Sequence, residues 1–135
     1  MIESNKNNTS GQGANSIVPN EVKKHFNWGA FFIMPFWGPG NQIYIAIILL
    51  LPIFSKAIIQ RYTLTFLIIS ILLSIWFGIK GNEWAWKYKK FENIEKFHSY
   101  QKKWAIAGIV FAIIFYLIPI LGIIANIPLL LKPME

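Results

Sequence analysis

The side chains with chemistry to offer are few. Glu92, Glu95 and His98 recur at intervals of three. On a helix this spacing stacks them on successive turns, and Glu95-x-x-His98 is the pairing that di-iron carboxylate bundles use. Such a centre needs a second Glu-x-x-His and further carboxylates on facing helices. The chain has six acidic residues in all and no second copy of the motif. A solvated helix face is the simpler reading of the three. Neither His25 nor His98 has an evident nucleophile or orienting partner. Gly78-Ile79-Lys80-Gly81-Asn82 is too short for a phosphate loop or a dinucleotide turn. With no cysteine, disulfides, zinc ribbons and thiol chemistry are excluded. No catalytic residue, metal site or cofactor is expected, and the chain does not read as an enzyme.

The elements around these residues read as membrane. Of 135 residues, 55% are hydrophobic and 14% charged, against about 25% charged in a soluble domain. The apolar residues come in blocks, which a soluble domain of this length could not bury. The net charge is +7. Because the lysines flank apolar blocks, that charge points to topology and anionic lipid, not to nucleic acid.

In chain order, residues 1–20 are rich in Asn, Ser and Gly and read as a disordered tail. Residues 21–40 form an interfacial or re-entrant half-helix. Its apolar part, Phe26–Trp37, is too short to cross a core about 30 Å thick, and Pro35 with Gly38-Pro39-Gly40 should break it. A rival reading joins it to the next block as one kinked span. Residues 41–59 are the first span, followed by a tight turn at Gln60-Arg61, with Tyr62 anchoring the interface. Residues 62–79 are the second span. They carry no charge past Arg61, although a proton or ion relay would place one there. Ser70 and Ser74 share a face, as small polar residues do in close helix packing. Residues 104–121 are the third span, and Pro119 and Gly122 should leave residues 122–135 a broken C-terminal end. The fold class is thus an all-α membrane protein of about three transmembrane helices.

Residues 80–103 form a basic aromatic hairpin that extends spans two and three. Trp84, Tyr88 and Phe91 make one helical stripe, and Ile94, Phe97, Gln101 and Trp104 a second. A turn at Glu92-Asn93 separates them, with Asn93 suited to cap the returning helix. Ten of the thirteen Lys and Arg residues lie in the hairpin or ahead of the first span. The positive-inside rule then makes this a multi-pass cell-membrane protein with its N-terminus and hairpin in the cytoplasm. Lys87, Lys89, Lys90, Lys102 and Lys103, with Trp84 and Trp86, are the candidate contacts to anionic lipid or a protein partner.

A further pattern runs through the chain. Asn27-Trp28-Gly29-Ala30-Phe31, Trp37-Gly38 and Asn41, Gly81-Asn82-Glu83-Trp84-Ala85-Trp86, and Gln101 with Trp104-Ala105-Ile106-Ala107-Gly108 resemble an uncharacterised family of small bacterial inner-membrane proteins. The resemblance covers roughly Pro19 to Gly108. It implies a bacterial inner-membrane protein with Asn27, Trp28, Gly29, Trp37, Gly38, Gly81, Asn82, Gln101 and Trp104 as structural motif residues, and it implies no activity. Pro35 and Gly38-Pro39-Gly40 depart from its pattern. The function expected is that of a non-enzymatic accessory or envelope protein whose hairpin contacts anionic lipid or a partner. The alternative is a small transporter, channel or peptide-immunity protein acting as a homo-oligomer.

Overall fold

The computed structural model describes residues 8–48 and 56–130, and every regular element among the described residues is a helix. After a short 3-10 turn at Gly13–Asn15 come α1 (Asn20–Lys23), α2 (Trp28–Gly40), α3 (Lys56–Tyr88), α4 (Ile94–Ala112) and α5 (Ile118–Leu130). A π-helical segment, Ile113–Leu117, joins α4 to α5. Among the described residues two helices are long and apolar enough to cross a membrane, Leu64–Tyr88 and Ile94–Asn126. Their outward faces expose Leu67, Ile68, Leu72, Ile109, Ile113, Phe115, Leu121 and many like them. An apolar surface of that extent needs a partner phase.

The core lies at one end of this pair, where α2 wedges between α3 and α4. Its buried apolar members include Val22, Ala30, Met34, Trp37, Phe77, Ala85, Trp86 and Phe97. Close approach is possible because of two glycines. A Cβ on Gly81 would stand 2.9 Å from the Ala30 Cβ, and one on Gly29 would stand 2.7 Å from the Trp104 Cβ. Neither neighbour can swing aside, since both atoms are fixed to helix backbone.

The breaks in the helices are not where Gly and Pro alone place them. The expected break of α2 at Pro35 and Gly38-Pro39-Gly40 is corrected: the helix runs through to Gly40 and kinks at Ile33 (φ −133°, ψ 40°). After that kink Pro35 occupies the first turn of the new segment, where its missing N–H costs nothing. The kink turns the chain back on itself. Phe32 lies against Gly108 and Phe36 is 6.4 Å from Phe111, yet the Gly40 carbonyl has returned to Tyr100. α2 then closes in a Schellman motif. The Ile43 N–H donates to Gly38 O (2.8 Å) and the Gln42 N–H to Pro39 O (3.0 Å).

Three further expectations change. The tight turn at Gln60-Arg61 is instead helical, and the departure falls at Tyr62 (φ −124°, ψ 21°), so α3 bends without reversing. The broken end after Leu121 is instead helical to Leu130. Pro119 crowds the carbonyl four residues before it, and the π segment that ends two residues earlier opens the ladder on that side. The disordered tail is corrected from residue 8 onward, while residues 1–7 lie outside the described residues. The Gly11 N–H donates to Trp86 O (2.9 Å) and Ser16 Oγ to Lys87 O (3.4 Å), which satisfies carbonyls left open at the end of α3. Ser10 Oγ accepts from the Phe91 N–H (2.9 Å) and is fully buried. Composition flagged the lack of apolar burial and missed these polar caps. The middle of the expected first span, residues 49–55, lies outside the described residues, and residues 44–48 form a 3-10 turn.

Gln42 stands at φ 64°, in the left-handed region that costs a side-chain-bearing residue about 1–2 kcal/mol. Gln42→Gly should therefore stabilise the protein by about 0.5–1 kcal/mol, net of the extra freedom glycine gives the unfolded chain. Thermal unfolding in mild detergent reads the gain, and a lower midpoint would contradict the Schellman assignment.

Candidate functional site

Five polar side chains converge where α2 meets α3 and α4. Asn27 precedes α2 and caps it, its Oδ1 accepting from the Ala30 N–H (2.8 Å). A backbone N–H can only donate, so the Asn27 amide is oriented: its Nδ2 faces away from the helix. That Nδ2 donates to Asn82 Oδ1 (2.7 Å) and to Gln101 Oε1 (3.1 Å). Asn82 then turns its own Nδ2 to the His25 carbonyl (2.7 Å).

A second donor-only group fixes the other half. The Trp37 indole N–H donates to Gln101 Oε1 (2.9 Å). Gln101 Nε2 must then face outward from Trp37, and it donates to Asn41 Oδ1 (2.7 Å). Asn41 closes the circuit by donating Nδ2 to Trp37 O (2.8 Å). Asn27, Asn41, Asn82 and Gln101 are all buried, and Trp37 is fully so. No charged group takes part. A neutral network suits a site beside an apolar phase, where each amide without a partner would cost several kcal/mol but no ion has to be desolvated.

The basic residues divide into two sets. Lys89 is held inward: its Nζ donates to Gly40 O (2.8 Å) and to Tyr100 Oη (2.7 Å), and Tyr100 Oη donates to the same carbonyl (2.7 Å). Lys87 pairs with Glu83 at 2.9 Å, and Lys80 approaches the same carboxylate at 3.3 Å. Lys90 reaches the Asn8 carbonyl (3.2 Å) but stays exposed, as do Lys102 and Lys103.

The tryptophans also part ways. Trp86, expected as a lipid or partner contact, is 2% exposed and packs on Phe91 and Phe97. Its position is corrected to the core because it lies four residues after Asn82, on the face turned to α2 and α4. The stripe facing α4 is therefore Trp86 and Phe91, not Trp84 and Tyr88. Trp84 is half-buried against Trp76 and Phe77, and it helps line an apolar recess of about 500 Å³ with Ile43, Ala46 and Leu73. Trp28 stands 49% exposed among Phe26, Phe31 and Phe32. Trp104 covers Gly29 and Gly40, and Gly38 meets Ala46.

A cavity of about 170 Å³ with mixed polar and apolar walls opens beside the network. It is lined by His25, Phe26, Asn27, Trp28, Asn82, His98, Gln101, Lys102 and Ala105. The two imidazoles meet edge to face with centroids 5.9 Å apart. Sequence reasoning found neither this pairing, across seventy-three positions of chain, nor the part played by Tyr100 and Ser10. Only the histidine types themselves gave a signal. No family model, curated protein or solved structure matches the chain.

Gln101 touches three of the other four network side chains. Gln101→Leu strands the Trp37 N–H, an Asn27 N–H and Asn41 Oδ1 in a buried setting, at ~1–3 kcal/mol for each group left unpaired. Denaturant unfolding in detergent, followed by tryptophan emission, should show a loss of about 3 kcal/mol or more. Lys103→Gln, on the exposed face, should change stability by less than about 0.5 kcal/mol.

Proposed function

We propose that the chain is a non-enzymatic multi-pass membrane protein whose basic head rests on the anionic lipid of the cytoplasmic leaflet. The observation that carries this reading is the division of the molecule into two zones. Along α3 and α4–α5 large apolar side chains face outward, while at the α3–α4 end the polar side chains bury themselves and lysines occupy the surface. That pattern is the reverse of a soluble domain on one length of the molecule and ordinary on the other.

In this reading α2 is re-entrant, entering and leaving on the head side. α3 and α4–α5 then each cross the bilayer, and they meet at the head. The tail hydrogen-bonds to Trp86, Lys87 and Phe91, which supports a shared compartment for tail and head. The excess of lysine there supports the cytoplasm. Each exposed basic residue near an anionic surface contributes about 1 kcal/mol, so Lys90, Lys102 and Lys103 act together. Lys87 and Lys89 serve the fold instead. The resemblance to small bacterial inner-membrane proteins points the same way.

Topology is checked with single cysteines, since the native chain has none. Asn15→Cys and Ser99→Cys, both at exposed positions, should escape an impermeant thiol reagent in intact cells, while Glu135→Cys is labelled. The lipid reading is checked in vesicles. Amine labelling of Lys90, Lys102 and Lys103 should fall at least several-fold when anionic lipid replaces zwitterionic lipid, with no ion flux. Flux through the same vesicles, with unchanged labelling, would overturn it in favour of an oligomeric channel or transporter.

A further inference from the structure

We propose that the cavity beneath His25 and His98 is a binding site for a single phosphate group. The inference rests on the reading of the basic head as lying at the lipid surface, and adds to it a defined pocket.

The chemistry of the lining selects an anion. Lys102 contributes an ammonium group, and no carboxylate is among the nine lining residues. A metal cation is disfavoured by the ammonium and by the lack of a third ligand of histidine or carboxylate type. Asn27 spends both N–H bonds of its amide within the network, while Asn82 and Gln101 each spend one, on the His25 carbonyl and on Asn41 Oδ1. Beside these amides the wall carries the imidazoles of His25 and His98 and the Lys102 Nζ as donors to a ligand. The two histidine rings meet each other edge to face, and His98 also meets the ring of Phe97. They come from different elements, His25 from the link between α1 and α2 and His98 with Lys102 from α4, so they converge only in the fold.

Size and depth narrow the ligand further. Pockets for metabolite-sized ligands run to about 300–1,000 Å³, whereas this one holds about 170 Å³. One phosphate fits that scale, and a nucleotide does not. The cavity reaches Ala105, and the exposed apolar run of α4 begins at Ile106. That is the level at which a lipid phosphate sits when the apolar sleeve is in the bilayer. The shared chemistry is a phosphate oxyanion, carried either by a lipid headgroup or by free phosphate. Phe26 and Trp28 supply apolar wall to the pocket.

The chain has two histidines, and both line the pocket. Histidine-selective isotope labelling therefore gives two imidazole signals, each a reporter of the cavity. The full chain is titrated in detergent micelles with inorganic phosphate, and in phosphatidylcholine nanodiscs with phosphatidic acid. Both signals should move saturably with at least one of these probes. Lys102→Gln should weaken that probe at least fivefold, while Lys103→Gln, outside the pocket, leaves it within twofold. The His25→Asn variant should weaken it as well. It spares the network, because Asn82 bonds the His25 backbone carbonyl and not its ring.

A response to phosphatidic acid that inorganic phosphate does not displace identifies the lipid as the source. A response to inorganic phosphate in micelles identifies the free anion, and it would stand even if the lysine protection above failed. Absence of a saturable shift with both probes would overturn the site. So would equal losses in the Lys102 and Lys103 variants, which would leave only a diffuse basic surface and the broader lipid reading intact.

Discussion

The Gln101 side chain can accept two hydrogen bonds and donate two, and the fold depends on how three of these are spent. Its oxygen takes the Trp37 indole and the Asn27 amide, and its nitrogen meets Asn41. Trp37 lies within the returning half of α2 and Asn41 caps its end, while Asn27 caps its entering half. One residue of α4 thus holds both limbs of a helix that has no sequence-local reason to fold back. Asn82 ties the same knot to α3. Because the indole and the Ala30 N–H can only donate, every amide in the circuit has one permitted orientation. A slip of any element would set like against like, so the network specifies arrangement as well as contributing stability.

Neutrality of the network has a consequence for the head around it. An ion pair at this place would couple folding to pH and to ionic strength. Amides do not. The fold is thereby insulated from the electrostatics of the surface, where Lys90, Lys102 and Lys103 stand free of the core. Lys89 is the exception that supports the argument. It is tethered to a carbonyl and a tyrosine hydroxyl, with its ammonium 3.9 Å from the Tyr100 ring centre. An inward lysine with such partners closes the end of α2 and offers no charge to a partner.

What could be read from the sequence is what local pattern controls. The helical class and the two long apolar helices follow from composition and block length, and the Asn93 cap of α4 follows from residue type. The breaks did not follow, because proline and glycine report only a local preference. Pro35 is harmless once Ile33 has kinked the chain, and Pro119 is absorbed by a π segment upstream. The tail was misread for a related reason. Disorder rules count apolar burial, and Ser10 and Gly11 are held instead by unpaired backbone groups of α3 and the turn after it. The motif residues Asn27, Asn82 and Gln101 were visible as a set. Their shared hydrogen bonds join positions 55 and 74 residues apart, which no periodicity encodes.

The placement of Gln101 and Lys102 shows how one helix serves both roles. Consecutive residues on an α-helix point about 100° apart. Gln101 therefore reaches into the junction of α2 and α3 while Lys102 reaches the cavity mouth beside His98. Asn27 and Trp28 repeat the arrangement on the opposite wall, one buried in the network and one exposed at the pocket. The pocket is thus built from the immediate neighbours of the residues that hold the fold. Its walls are positioned to the accuracy of the network itself, without residues of their own to fix them. A site made this way has its backbone walls set by the same hydrogen bonds that hold the helices together.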